Sequence, residues 1–504
     1  MNFRKHLKFY FLLLVMALIA VNINSQQVRY LTLDSALNIA KEKSHRIRML
    51  RETLAQATYR LRSLKLSYLP SLEFNGTIPA LTENVVLNEQ PGISEYYYKK
   101  NYLVAGDLSL NQVLPTNGTL SIITGGSNLK SYRDTTKLFK TNIGINYSQP
   151  IEAFYSYNQR KAEIKEAKLN YELALKQYKR EELNLIYNIS SLYYNLVSNQ
   201  KQKDIAYQNL TRQEEANKLA QNKYETGLIK EVEALQIEVD LGEAINRFDV
   251  QSTSLDQAQN QLKMELDIPF TDSLIVDSKP EYKEMYINPE QAVELGLKNR
   301  TEIRESQIQI DLSLLDIKRQ QSQGLITGNI NAYYDFIGST QYNDLEFPYR
   351  EGFNSTITDM FGRSGNVGIS LTVRIPILDW GANHQMVKLY KSRLKQNQIS
   401  LDYQRISIEN EIRNTVNRFN SSLRRLLILE KNVKLAEKSF EISYLRFTNG
   451  DIDAEALGLD RIRYNTAQQS YLDAYISYKL LLLDLNRKTF FDFATNTPIV
   501  PENL

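Results

Sequence analysis

The sequence predicts an α+β membrane protein made of two internal repeats, each with short helices, barrel-type strands and two very long helices. Three observations predict it. The chain aligns with itself over most of its length, its helical segments keep a seven-residue apolar period, and the segments between them switch to a period of two.

The 504 residues carry 61 Lys+Arg against 58 Asp+Glu, a composition for ordered structure of two or three ordinary domains. Residues 1–25 hold Arg4, Lys5 and Lys8 and no acid, then the apolar run Phe9–Val21 and the small Ser25, and read as a secretory signal peptide. Without them the formal charge falls from +3 to zero, which gives no support for a nucleic-acid partner. Phe9–Val21 is too short to span a bilayer, which takes about 20 apolar residues, and no later stretch approaches that length. The exported chain is therefore expected to be soluble or to enter a membrane as a β-barrel. The lack of cysteine excludes a disulfide framework, thiol catalysis and lipidation through a thiol. His45 and His384 are too few for a transition-metal site and read as surface or packing residues; no cofactor is expected.

The repeat is read residue by residue. Leu33–Leu69 matches Pro289–Leu325 without a gap, setting Ala36 against Ala292, Ala40 against Gly296 and Ile47 against Ile303. Pro150 then matches Pro376, Tyr224-x-x-Gly227 matches Phe447-x-x-Gly450, and Leu262 matches Leu485. The expected layout is repeat 1 over 26–271, repeat 2 over 272–488 and a tail over 489–504, with the boundary near Pro269 and Pro280.

The long helices rest on heptads. Ile164, Tyr171, Tyr178, Leu185 and Leu192 stand seven apart, as do Ala234 through Leu262 and Leu457 through Leu485. The longest series runs from Ile412 through Phe419, Leu426, Val433 and Phe440 to Phe447. The series Val387, Leu394, Leu401 and Ile408 joins it by a four-residue stutter. Such repeats mean coiled-coil packing. Gln159–Asn222 and Ala382–Leu445 contain neither Pro nor Gly, and at about 1.5 Å per residue each spans roughly 95 Å. A periplasmic coiled-coil scaffold would satisfy this pattern equally well.

The strands speak for more than a scaffold. Leu72, Phe74, Gly76 and Ile78 alternate with Glu73, Asn75 and Thr77, and Val367 through Ile377 alternate with Gly, Ser, Thr and one Arg. Ile143–Tyr147 and Ile330–Phe336 repeat the pattern. An apolar face opposed to a small polar face over about ten residues is the mark of a transmembrane barrel strand; half-buried strands of a soluble sheet are the alternative. Two strands per half are too few to close a barrel, so the barrel would be shared between chains. A further hairpin across Leu103–Leu129, turning at Pro115–Gly118, would raise the count from four strands to six. Trp380 and Phe154 suit an aromatic girdle at the membrane interface, or packing on a neighbouring helix.

In its residues the chain resembles the TolC-like outer-membrane factor (outer membrane efflux protein) family. Leu31-Thr-Leu-Asp-Ser-Ala36, Leu69-Pro-Ser71, Ser148-Gln-Pro150, Ile375-Pro-Ile-Leu-Asp-Trp-Gly381 and the two Tyr/Phe-x-x-Gly turns carry the resemblance, twice over, across 30–488. It implies a homotrimer with one shared β-barrel in the outer membrane, continued by an antiparallel coiled-coil α-helical barrel through the periplasm. It also implies a passive exit duct, not an enzyme, in a tripartite efflux or type I secretion system. Its partners would be outer-membrane lipid, a periplasmic adaptor and an inner-membrane pump of RND or ABC type. Gly227 and Gly450, with Leu228 and Ile229, would then be adaptor-docking tip turns, although a turn alone explains a glycine. Tyr224, Phe447, Glu233, Asp451, Asp453 and Glu455 would form the tip constriction. Ile452 departs from the arginine of the family's usual lock, and the acidic cluster after Gly450 reads as a carboxylate ring or as a solvated loop capped by Asp453. The cargo is not legible.

Overall fold

The computed structural model describes residues 28–90, 93–277 and 282–499. The expected signal peptide and Pro280 lie outside the described residues. In chain order the elements are β1 (Val28–Leu31), α1 (Leu33–Lys43), α2 (His45–Leu66), β2 (Ser71–Gln90), β3 (Ile93–Val113), β4 (Thr119–Ser131) and β5 (Thr136–Pro150). There follow α3 (Glu152–Tyr155), α4 (Gln159–Glu225), α5 (Glu231–Leu266), β6 (Ser273–Val276), α6 (Pro289–Asn299) and α7 (Thr301–Gln323). The chain continues with β7 (Thr327–Tyr342), α8 (Tyr349–Phe361), β8 (Asn366–Arg374), α9 (Ala382–Asn449), α10 (Ala454–Thr489), β9 (Phe491–Asp492) and β10 (Thr497–Pro498). Helix α4 has 67 residues and α9 has 68, lengths that their freedom from Pro and Gly allows.

Two compact units divide the chain, and each draws on both halves of the sequence. One takes the chain up to Thr53 with Lys176–Arg304 and Asp402–Leu504; the other takes Leu54–Leu175 and Glu305–Leu401. A half of the sequence is therefore not a separately packed body.

The first unit is helical, with its core along the heptad positions. Leu185, Leu262, Ile412, Phe419, Leu426 and Leu485 are all buried in one apolar cluster. Ile408 and Ile412, either side of the stutter, both face inward. Local signals start the helices. Thr32 and Ser35 close a capping box on α1, and the Asn288 side chain accepts from Glu290 N and Gln291 N ahead of Pro289 on α6. Gly296 stands where the first half has Ala40 because a Cβ there would lie 2.1 Å from Ile412 Cδ1. At the C-terminal end of α10, buried Lys488 binds Asp484 at 2.7 Å and Glu411 at 3.3 Å, and Arg300 binds Glu411 at 2.6 Å. Within the expected tail, β9 and β10 pair as an antiparallel hairpin.

The second unit holds a six-stranded antiparallel sheet in the order β2-β3-β4-β5-β7-β8. Of the two counts the sequence left open, four and six, the sheet has six: the hairpin across Leu103–Leu129 forms as β3–β4, so the first half supplies four strands and the second two. Strands β2 and β3 run 20 and 21 residues, past the expected ten, with a register shift between Thr77 and Ala80 around Pro79, which has no N–H to give the ladder. Strand β8 ends at Arg374 rather than Ile377, beside Pro376, which cannot donate to a ladder. The turn Pro115–Gly118 forms as expected, with Asn117 at φ 64° and Leu114 N donating to Gly118 O at 2.8 Å. Helix α8, between β7 and β8, has no counterpart in the first half.

Candidate functional site

The sheet has two chemically distinct faces, and the register defines both. Paired residues on adjacent strands project to the same side. One row crosses every strand: Leu72, Leu110, Ile122, Ile145, Tyr334 and Val367. The next rows add Phe74, Leu108, Ile143 and Phe336 towards one end, and Ile369 and Leu371 towards the other. Nearly all of these side chains lie open to the surroundings, Ile369 at 80%. An exposed apolar band that crosses six strands is far larger than a soluble surface normally shows. The opposite face reads Ser71, Asn111, Ser121, Asn146, Tyr333 and Gly368 along one row. Its polar groups bond among themselves: Ser148 Oγ donates to Asn331 Oδ1 at 2.9 Å and Asn366 Nδ2 to Asp335 Oδ1 at 2.7 Å.

Edge strands β2 and β8 each have a neighbour on one side only, and eight of the nine β8 residues are exposed. Trp380 and Phe154 are largely exposed, at 89% and 65%. Trp380 (φ 54°) and Gly381 (φ 82°) form the turn into α9, which the Asp379 carboxylate caps by accepting from Gly381 N and Asn383 N. Tyr96 and Tyr98, equally exposed on the apolar side of the β2–β3 hairpin, were missed because the run from 93 to 102 lacks strict alternation.

In the other unit the two glycine turns are copies of one geometry. After α4, Leu228 N donates to Lys223 O and Gly227 N to Tyr224 O; after α9, Asp451 N donates to Arg446 O and Gly450 N to Phe447 O. This is the Schellman pattern, with glycine at the left-handed position, φ 74° and 83°. No atom lies within 4 Å of a Cβ built on either glycine. The turn therefore accounts for both glycines, and the space around them is open.

Around these turns the structure brings some expected residues together and separates others. Glu233, Asp453 and Glu455 line one groove of about 680 Å³ with Asp240, Glu243 and Arg461. Asp453 also caps α10, accepting from Ala456 N at 2.9 Å. Phe447 is buried with Ile237, Phe440 and Tyr464 in the apolar cluster beneath the turns, whereas Tyr224, Leu228 and Asp451 are exposed and Ile229 packs on that cluster. Two linking residues escaped notice because a lone Lys or Arg on a charged helix carries no pattern. Lys223 Nζ reaches Phe447 O at 3.0 Å, joining α4 to α9. Arg461 joins α10 to Asp240 on α5 at 2.9 Å and to buried Gln213 on α4, whose Nε2 donates to Ile237 O.

No group of His, Cys, Asp and Glu among the described residues could hold a metal ion, and no described helix is long and apolar enough to cross a membrane.

Residues 119–265, from β4 through α5, match the family model described as outer membrane efflux protein. No curated protein matches the sequence. Among solved structures the Campylobacter jejuni CmeC outer membrane channel is similar at 15% identity and TM-score 0.64, covering 91% of this chain and 85% of that one. The open state of the Neisseria gonorrhoeae MtrE outer membrane channel is similar at 14% and 0.62, covering 91% and 88%. The Vibrio cholerae outer membrane protein VceC is similar at 14% and 0.62, covering 90% and 94%. At these identities the likeness is one of fold.

Proposed function

We propose that the chain is a TolC-like outer-membrane factor, a reading supported by the match of residues 119–265 to the outer membrane efflux protein model and by the likeness of fold, and that it is the passive exit duct of a tripartite efflux or type I secretion system. It is a transport component and not an enzyme.

The observation that carries the reading is the two-faced sheet. Its apolar band suits acyl chains and its polar face an aqueous lumen. In a bilayer the free edges of β2 and β8 cannot remain unpaired, because no water is there to satisfy them. Pairing β8 of one copy with β2 of the next closes a barrel without edges. Three copies of six strands give 18, in the range of about 16–18 strands that leaves an aqueous channel. Trp380, Phe154, Tyr96 and Tyr98 are the natural aromatic anchors. Strands β5 and β8 lead in sequence into α4 and α9, which would line the periplasmic duct. The open turns at Gly227 and Gly450, with Leu228 and Ile229, would receive the adaptor, and the acidic groove would form the constriction with Tyr224. An inner-membrane pump of RND or ABC type would supply the energy. A coiled-coil scaffold explains the helices but gives the apolar band no purpose.

The test is the state of the full chain in the cell envelope. It is expected in the outer-membrane fraction, released only by detergent, and trimeric there by light scattering. Recovery as a soluble dimer would overturn the reading.

A further inference from the structure

Helix α8 lies on the apolar side of the sheet, at the strand ends away from Pro150 and Arg374. Three glycines and one ring show this. A Cβ on Gly126 of β4 would meet the Phe353 ring, and one on Gly338 of β7 would meet Thr356 O and Met360. Both glycines pair with Thr141 of β5, two residues from Ile143 on the same face. The Phe139 ring, fully buried, sits where a Cβ on Gly352 would lie, with Phe353 at 5.2 Å and Tyr349 at 6.0 Å between ring centroids. Buried Lys137 locks the start of the helix, its Nζ 3.7 Å from the Tyr349 ring centroid and 2.5 Å from Phe347 O.

The two flanks of α8 differ. Ile357 and Phe361, one turn apart, are exposed, and the Phe361 ring leans on Phe336 at 6.0 Å, at the margin of the bare apolar band. Glu351, Ser355 and Thr358 form another flank. Asp359 accepts from Ser339 N and pairs with Arg363 at 2.7 Å. The band itself is short where the helix covers it: on β5 its exposed members are Ile143 and Ile145, followed by half-buried Tyr147, a run of about 13 Å from Ile143 to Tyr147 at roughly 3.3 Å per residue. A barrel needs an apolar belt about 25 Å tall.

We propose that α8 is an interfacial helix seated at the acyl–headgroup boundary of the outer leaflet, where Ile357 and Phe361 complete the lipid-facing belt that β4, β5 and β7 leave short. The inference rests on the membrane reading of the sheet. A helix with one apolar flank and one polar flank, packed on the barrel instead of lying free, binds that boundary without crossing it.

The chain lacks cysteine, so single cysteines at Ile357, Phe361, Glu351 and Ile369 take an environment-sensitive fluorophore without background. The labelled full chain is reconstituted in vesicles of phosphatidylethanolamine and phosphatidylglycerol, with and without nitroxide-labelled phospholipid. Blue-shifted emission and quenching by the nitroxide lipid are expected at 357, 361 and 369, and water-like emission at 351. Quenching at 369 with water-like emission at 357 and 361 overturns the inference while the membrane reading stands. Blue-shifted emission at 357 and 361 without lipid quenching also overturns it, since protein then covers the helix. Water-like emission at 369 overturns both.

Discussion

Arg461 on α10 donates to the Asp240 carboxylate on α5 at 2.9 Å, and its other terminal nitrogen reaches Gln213 on α4. One side chain thereby ties three helices together beside the acidic groove. If the duct opens by parting these helices, the link must break. Asp240→Asn and Arg461→Gln should each remove about 1 kcal/mol per chain from the closed state, the scale of a partly exposed ion pair. A higher resting conductance of trimers in planar bilayers is the expected outcome. Unchanged conductance in intact trimers excludes this link from gating.

The turn glycines give a prediction with no packing component. At φ 74° and 83° an L side chain is strained, yet nothing lies within 4 Å of the built Cβ. Gly227→Ala and Gly450→Ala should each cost about 1 kcal/mol, and Asn, which tolerates the left-handed region, less. Thermal unfolding by circular dichroism measures the ranking. If Ala and Asn lower adaptor crosslinking equally while the melting temperature is unchanged, the glycines serve contact and not the turn.

Gly296 gives the opposite case, where space decides. A Cβ there meets Ile412 Cδ1 at 2.1 Å, so Gly296→Ala should destabilise by about 1–3 kcal/mol through overpacking. Ile412→Val removes the offending methyl. The double variant should recover part of the loss, a coupling of about 0.5–3 kcal/mol. Additive effects would show that the two residues do not meet.

The polar node at Lys488 sets an acid limit. Burial alone would raise Asp484, but hydrogen bonds from Lys488 and Arg487 hold it below its ordinary 3.8; Glu411 is likewise held below 4.5, against its own burial, by Arg300 and Lys488. Depressed values in the folded state mean stability that is present above the unfolded values and lost as pH falls through the folded ones. The melting temperature should therefore hold from neutrality to about pH 5 and fall below about pH 4. Lys488→Met takes one of two cations from Asp484 and one of two from Glu411, leaving Arg487 and Arg300 in place, and should cost about 1–3 kcal/mol at neutral pH. A flat pH profile in the wild-type chain rejects the node as a stabilising element.

How legible all this was in the sequence depended on period. Heptads announced the core residues Leu185, Phe419 and Leu485, because a 3.5-residue repeat has one structural meaning over that length. Strict alternation announced β5, β7 and β8. Strand β3 ran longer than expected because Tyr96, Tyr97 and Tyr98 break the alternation while still pairing with β2. Helix α8 was invisible: at 13 residues, with Gly352 turned onto Phe139, it has no apolar stripe of its own length. Lys223 and Arg461 were hidden for a different reason, since cross-helix partners 221 and 224 residues apart leave no local trace.

The apolar band makes the last prediction, and it turns on the register of β8. Ile369 pairs with Ala332 on the apolar face, and Ser370 pairs with Asn331 on the polar one. Adjacent residues thus face lipid and lumen if the sheet belongs to a barrel. Ile369→Lys places an ammonium among acyl chains, at a cost of about 2–4 kcal/mol near the bilayer midplane. Three copies in one trimer multiply that penalty, so the yield of folded outer-membrane trimer should drop sharply. Ser370→Lys projects into water and should leave the yield near the wild-type level. Heat-resistant trimer on a denaturing gel, measured for both variants at matched expression, separates the faces. Equal yields from the two variants would remove the assignment of the Ile369 face to lipid.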